Sequence, residues 1–248
     1  MKQVHFTLQG KGGVGKSLVA SLMAQYLLSR GEPVEVIDAD PVNPTLFGYE
    51  ALKVQRLDLM EGHAIVEEKF DALILRIFDE DSNFVIDNGA SSFVALNNYM
   101  IENDIASMIA DHGKQVVVHT VIAGGSALLE TLTGFADLVN QMPEQVQIVV
   151  WLNEHFAKIE SEGKTFDEMK IYAQNKDRVK GIIRLEKQSQ TFSSAMEKML
   201  TRKMTWEVNM SPDFDLMQKS RLFRIKEDIY RRIGMVMEQP EEVAVSHD

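Results

Sequence analysis

The chain has 248 residues, 45% of them apolar and 25% charged, with a formal net charge of −11 and no cysteine. That length and apolar share favour one large α/β core over two small ones. The missing thiols exclude disulfides, cysteine nucleophiles and thiolate-held zinc or iron–sulfur centres, and the acidic balance argues against coating DNA by bulk electrostatics.

At the start, Val4, Phe6 and Leu8 alternate with His5 and Thr7, the period of a strand. Leu18, Val19, Leu22, Met23 and Tyr26 then recur at helical spacing up to Arg30-Gly31. Between them runs Gly10-Lys11-Gly12-Gly13-Val14-Gly15-Lys16-Ser17, which satisfies the phosphate-cradling pattern G-x-x-x-x-G-K-[ST] in strand–loop–helix context. Glycines let consecutive backbone N–H groups turn toward a phosphate, and a helix beginning near Lys16 aims its positive end at the same anion. Lys16 is expected to reach the β- and γ-phosphates, Ser17 to ligate Mg²⁺, and Leu18 to follow at the nucleotide.

Downstream, short apolar runs alternate with helical patterns. Strands are expected at Pro33–Asp38, Phe84–Asp87, Gln115–Val121 and Val146–Asn153, with a weaker one at Val179–Leu185. Helices are expected over Val66–Phe78, Phe93–Ala110 and Ser126–Met142. Nearly continuous apolar strands separated by helices predict a doubly wound, mainly parallel sheet covered on both faces. We expect one domain over residues 1–248, helical from about residue 186.

Ligands in such folds bind at the carboxyl ends of the strands, where this sequence places polar residues. Asp38 and Asp40 close the second strand and Asp87 the third. A lone strand-end Asp is more often a cap or turn former, but three beside a phosphate loop point to Mg²⁺–nucleotide chemistry. Asp87 and Asp38 are the metal-side candidates with Ser17. Asp40, in a loop bounded by Pro41 and Pro44, is the candidate to orient an attacking water. Asn153 ends the next strand and offers an amide to a purine edge. No N-K-x-D guanine pattern follows it, which favours adenine. The six histidines do not cluster at metal spacing, and His5 and His119 read as core residues.

Between residues 178 and 232 there are 13 Lys/Arg against 7 Asp/Glu. Leu222, Ile225, Ile229 and Ile233 form a helical stripe there, ringed by Arg221, Arg224, Lys226, Arg231 and Arg232. A final helix packed on the sheet, with its basic residues snorkelling outward, accounts for the pattern better than a membrane anchor. Direct DNA or membrane contact is left open.

The segment Lys11–Ser17 resembles the deviant Walker A loop of the ParA/MinD group of P-loop ATPases. Ile37-Asp38-Ala39-Asp40-Pro41, Val85-Ile86-Asp87 and Leu152-Asn153 resemble that group's later motifs in the same order. The resemblance implies ATP/ADP with Mg²⁺, an ATP-dependent homodimer, and a Lys11 that crosses to the partner's nucleotide, so that Lys11, Lys16 and Asp40 form the catalytic set. Longer segments, among them Asp40-Pro41-Val42-Asn43-Pro44 and Val150-Trp151-Leu152-Asn153, resemble a family of conjugal-transfer proteins. They imply partners in the conjugation machinery or a DNA-transfer complex.

Two departures stand out. Asp87-Asn88-Gly89-Ala90 lacks the group's usual Asp-x-Pro turn, and Gln239-Pro240-Glu241-Glu242 near the end of the sequence carries charge that an anionic membrane repels. The expected function is a slow, dimer- or partner-dependent ATPase switch. It would be cytoplasmic, with recruitment to the inner membrane face through partners. The alternatives are an ATP-dependent ligase or kinase of the dethiobiotin synthetase type, and a non-hydrolysing nucleotide-binding assembly module.

Overall fold

A computed structural model describes residues 1–61, 64–66 and 68–238. In chain order the first half comprises β1 (Lys2–Thr7), α1 (Lys16–Ser29), β2 (Val34–Asp38), β3 (Gln55–Arg56), β4 (Met60–Glu61), β5 (Ala64–Ile65), α2 (Lys69–Asp79), β6 (Asn83–Asp87), α3 (Phe93–Glu102) and α4 (Ile105–Asp111). The second half comprises β7 (Lys114–Ala123), α5 (Leu128–Gln141), β8 (Gln147–Asn153), β9 (Glu160–Ser161), β10 (Lys164–Thr165), α6 (Lys170–Asn175), β11 (Val179–Leu185), α7 (Gln190–Thr201) and α8 (Leu216–Met237).

Seven strands form one sheet in the order β11-β8-β7-β1-β6-β2-β3, with every neighbouring pair parallel. Side chains alternate between its faces. Phe6, Phe84, Ile86, Val118 and Val150 pack with residues of α2 to α5. Val85, Val117, Val149, Trp151 and Ile183 pack with α1, α7 and α8. Both faces are therefore apolar, as crossover helices require. The stripe Leu222, Ile225, Ile229 and Ile233 is buried on the second face, where a final helix packed on the sheet places it.

The expected helix over Phe93–Ala110 is two helices. Asp104 adopts a left-handed backbone (φ 48°) that ends the first and caps the second, and its carboxylate accepts from the Ser107 hydroxyl at 2.7 Å. Asp tolerates that conformation better than most residues, because its short polar chain bonds locally. The helix expected from Val66 begins at Lys69, since the Val66 amide is drawn to the Leu59 carbonyl (2.9 Å). The β4–β5 and β9–β10 hairpins have two-residue strands, too short to show any period. The acidic stretch Gln239–Glu242 lies outside the described residues.

Candidate functional site

Parallel pairing sets the ends of three central strands side by side. Thr7 is in register with Asp87, and Asp87 with Asp38. The loop that leaves β1 turns over this row. Gly13 and Gly15 adopt left-handed φ values of 75° and 108°, conformations that glycine takes without strain, and Gly15 precedes the first turn of α1. Val14 is buried and anchors the loop in the apolar layer, whereas Gly10 and Gly12 face outward. Lys16 is buried, and its ammonium donates to the Lys11 carbonyl at 2.9 Å. Burial lowers its pKa while the charges of Asp87 and Asp40 oppose the shift.

The three carboxylates occupy different settings. Asp87 is buried and accepts from the Thr7 hydroxyl at 2.9 Å, with the Ser17 hydroxyl as a second donor. Burial pushes it up to about 7; those hydrogen bonds and Lys16 pull the other way, and the Asp38 charge adds to the rise. Asp38 has no exposed surface. One of its oxygens accepts from the Asp40 amide (3.0 Å) and the other from the Phe47 amide (2.8 Å), so it fastens the loop after β2. Asp40 is partly exposed, and one of its oxygens accepts from the amides of Val42 and Asn43, both at 2.9 Å. It rests on Gly89, where any Cβ would lie within 2.7 Å of all three carboxyl atoms. The Asp87-Asn88-Gly89 departure thus has a physical reason: the turn must pass beneath Asp40.

Gly12, Gly13, Gly15, Lys16, Ser17 and Asp40 line a cavity of about 610 Å³. Leu18 also lines it, and lines a neighbouring cavity of about 410 Å³ between the ends of β8 and β11 and helices α7 and α8. Asn153 stands in this second cavity. Its amide nitrogen donates to the Val14 carbonyl at 2.9 Å and its oxygen accepts from the His155 amide at 3.1 Å. Asn153 therefore braces the phosphate loop as well as facing the cavity. Lys11 does not line the phosphate cavity; its ammonium lies 2.8 Å from Glu130 on α5. Among the described residues, no group of three or more acidic or histidine side chains is arranged to hold a metal unaided.

Some of the basic C-terminal residues are paired. Arg232 bonds Glu186 and Asp228, and Arg231 bonds Asp228. Lys203, just past α7, lines the phosphate cavity although no motif marked it. Sequence spacing carries no signal for it, because it arrives from a separate helical layer.

A glycine loop feeding a helix N-terminus, with a buried lysine facing strand-end carboxylates across a parallel sheet, defines a P-loop nucleotide-binding domain. The chain belongs to the CobQ/CobB/MinD/ParA nucleotide binding domain family, which it matches over residues 6–202. It is similar to Protein TraL of Escherichia coli, with 41% identity over 94% of this chain and 98% of that protein. Its fold is similar to that of the MinD cell division protein of Aquifex aeolicus, with a TM-score of 0.52, 20% identity and coverage of 96% and 98% of the two chains. It also resembles a plasmid partition protein (BB_S35) of Borrelia burgdorferi B31 solved with AMPPNP, with a TM-score of 0.51, 17% identity and coverage of 91% and 98%. No helix among the described residues is long and apolar enough to cross a membrane.

Proposed function

We propose that this protein is a Mg²⁺-dependent ATPase that works as a dimerisation switch in conjugative plasmid transfer. The observation that carries the proposal is the division of labour around one loop. Lys16 lies inside the phosphate cavity with Asp40 and Asp87 nearby, while Lys11 lies outside its lining, paired with Glu130. An enzyme acting on a small molecule has no evident need for a second loop lysine aimed outward.

In this reading the P-loop amides of Gly12, Gly13, Val14 and Gly15, together with Lys16, bind the β- and γ-phosphates. The all-oxygen set of Ser17 and Asp87 fits Mg²⁺, because burial disfavours the charged form of Asp87 and a cation beside it would offset that cost, and Asp38 adds negative charge beside it. A bound Mg²⁺ would supply charge neutralisation to the phosphates. Asp40 would accept a hydrogen bond from the attacking water and hold it in line with the γ-phosphorus; the task is positioning. Asn153 and Leu18 would border the adenine.

One further feature supports a partner copy over this face, and another supports partner binding in general. Val42, Phe47, Val94, Leu129 and Phe156, all on loops or helix starts after the carboxyl ends of strands, are exposed apolar residues on the nucleotide side of the sheet. The relative MinD has also been solved in a complex with MinC, so partner binding has precedent on this fold. The likeness to Protein TraL supports a role for it in conjugation.

Nucleotide binding by Lys16→Ala and light scattering of wild type and Lys11→Ala test the proposal. Lys16→Ala should lose tight ATP binding. Lys11→Ala should bind ATP as a monomer but fail to dimerise or hydrolyse it. A wild type that stays monomeric with ATP, ADP and AMPPNP would remove the switch.

A further inference from the structure

Lys203 is out of keeping with its backbone. It follows the last turn of α7 with φ 53°, its amide donates to the Leu200 carbonyl at 3.0 Å, and the next amide (Met204) reaches the Met199 carbonyl at 3.0 Å. This is the helix-ending position that glycine fills by default, and a side chain there costs about 1 kcal/mol. Among the described residues three other non-glycine positions, Lys53, Asp104 and Glu162, share the left-handed conformation, but of the four only Lys203 lines the phosphate cavity.

Its stem and head are both placed. A Cβ on Gly48 would come within 3.2 Å of Lys203 Cγ, so the bare glycine gives the lysine its path into the cavity. The ammonium lies 5.4 Å from the centre of the Tyr49 ring, within cation–π range. Asp40, Asn43 and Thr45 line the same wall, next to Lys16 and Ser17. Burial lowers the Lys203 pKa, and the charges of Asp38 and Asp87 oppose that shift, so the ammonium sits in the field of the two innermost carboxylates.

We propose that Lys203 is a third lysine of the nucleotide site. The helical C-terminal layer contributes it, and it contacts the terminal phosphate of a bound nucleoside triphosphate, so that the site distinguishes tri- from diphosphate. The proposal rests on the nucleotide-site reading above. An ammonium on a flexible stem suits a phosphate oxygen, which it meets as a point charge with three donors. The strained backbone and the open glycine opposite are what a positioned charge requires and a surface lysine does not. One consequence is mechanical: the γ-phosphate would tie α7 to the loop at residues 46–49, which lies next to the candidate water-orienting Asp40.

The test measures affinities of wild type, Lys203→Met and Lys203→Arg for fluorescent ATP and ADP analogues with Mg²⁺, alongside melting curves and a Lys16→Ala control. Met keeps the apolar stem over Gly48, so a folded variant is expected. The expected result is an ATP affinity about 10-fold weaker in Lys203→Met, the scale of one charge-assisted hydrogen bond, with ADP affinity within about 2-fold and partial recovery in Lys203→Arg. Equal weakening for ATP and ADP, or none for either, overturns the proposal. So does tighter Mg²⁺-nucleotide binding in Lys203→Met, which would make the lysine a counter-ion of Asp38 and Asp87 that nucleotide displaces. Absence of any nucleotide binding by wild type would instead overturn the underlying site, which the Lys16→Ala arm separates.

Discussion

Lys11 Nζ lies 2.8 Å from Glu130 Oε2, so the lysine expected to reach a partner's nucleotide is held by its own chain. The two side chains are 39% and 59% exposed, which keeps the pair weak, about 0.2–1 kcal/mol. Its neighbours restrict the loop further: the Lys11 amide faces Gln9 Oε1 at 3.4 Å, while the Gln9 amide group donates to the carbonyls of Val121 and Thr131. Release of Lys11 thus costs little, and that suits a residue that changes partners. Glu130→Gln should leave the melting temperature within a few degrees and raise ATP-dependent dimerisation about 2- to 5-fold, in proportion to the pair's energy. Sedimentation of the variant with AMPPNP reads the change. A fall in dimerisation would show that Glu130 assists the assembled state.

Gly89→Ala tests the placement of Asp40. The added Cβ would overlap the carboxyl group, and the displaced side chain would also give up the amides of Val42 and Asn43. A shift of about 1 Å in a positioning group can cost about 100-fold in rate. ATP hydrolysis should fall by that order, while nucleotide affinity, which depends on the loop and Lys16, stays within about 3-fold. Unchanged turnover would mean that Asp40 does not orient the reacting water.

The fold and the phosphate site were legible for a common reason: both are written in local periodicity and fixed spacing. Buried parallel strands advertise themselves as Val/Ile runs, and Gly10 to Ser17 is one contiguous pattern. The relations that shape the site are non-local. Glu130 meets Lys11 across more than a hundred residues, Gly89 meets Asp40 through the strand order, and Lys203 enters from a separate helical layer. Asp38 shows the limit most clearly. A strand-end carboxylate looks the same in sequence whether or not its oxygens also accept from loop amides, as those of Asp38 do from Asp40 and Phe47.

Asn153 has two possible duties with different signatures. It braces the loop through the Val14 carbonyl and it lines the second cavity. Asn153→Asp removes the donor and sets a carboxylate against that carbonyl, a pairing without a hydrogen. If bracing dominates, affinity should drop about 10-fold for ATP and GTP alike, the cost of an unmade buried hydrogen bond. If base contact dominates, the ATP-to-GTP preference collapses instead. Competition of both nucleotides against a fluorescent ADP analogue separates the two. We expect the loss to be shared by both bases, because the amide is already committed to Val14.

Acid should destabilise the fold through a buried histidine pair. Trp151 Nε1 donates to His119 Nδ1 at 2.9 Å, so neutral His119 carries its proton on Nε2 and donates to His5 Nδ1, also at 2.9 Å. His5 Nε2 then holds a proton with no partner, buried beneath α1. Charging either ring would put a cation where no carboxylate is paired with it. Burial accordingly lowers His5 from 6.5 to about 3 and His119 well below 6.5, the latter also through His5. Both folded-state values lie below the unfolded one. The stabilisation is therefore complete above pH 6.5 and is lost as pH falls, because the unfolded chain binds more protons. Each pH unit below 6.5 costs about 1.4 kcal/mol per histidine. Asp87, pushed up to about 7, acts in the opposite sense and offsets about one histidine's share over the same range. Urea unfolding between pH 7.5 and 5 should show stability falling with acid, whereas His119→Asn, which keeps an acceptor for Trp151 but does not titrate, should flatten the slope by about one histidine's worth. An equally steep slope in the variant would place the acid sensitivity elsewhere.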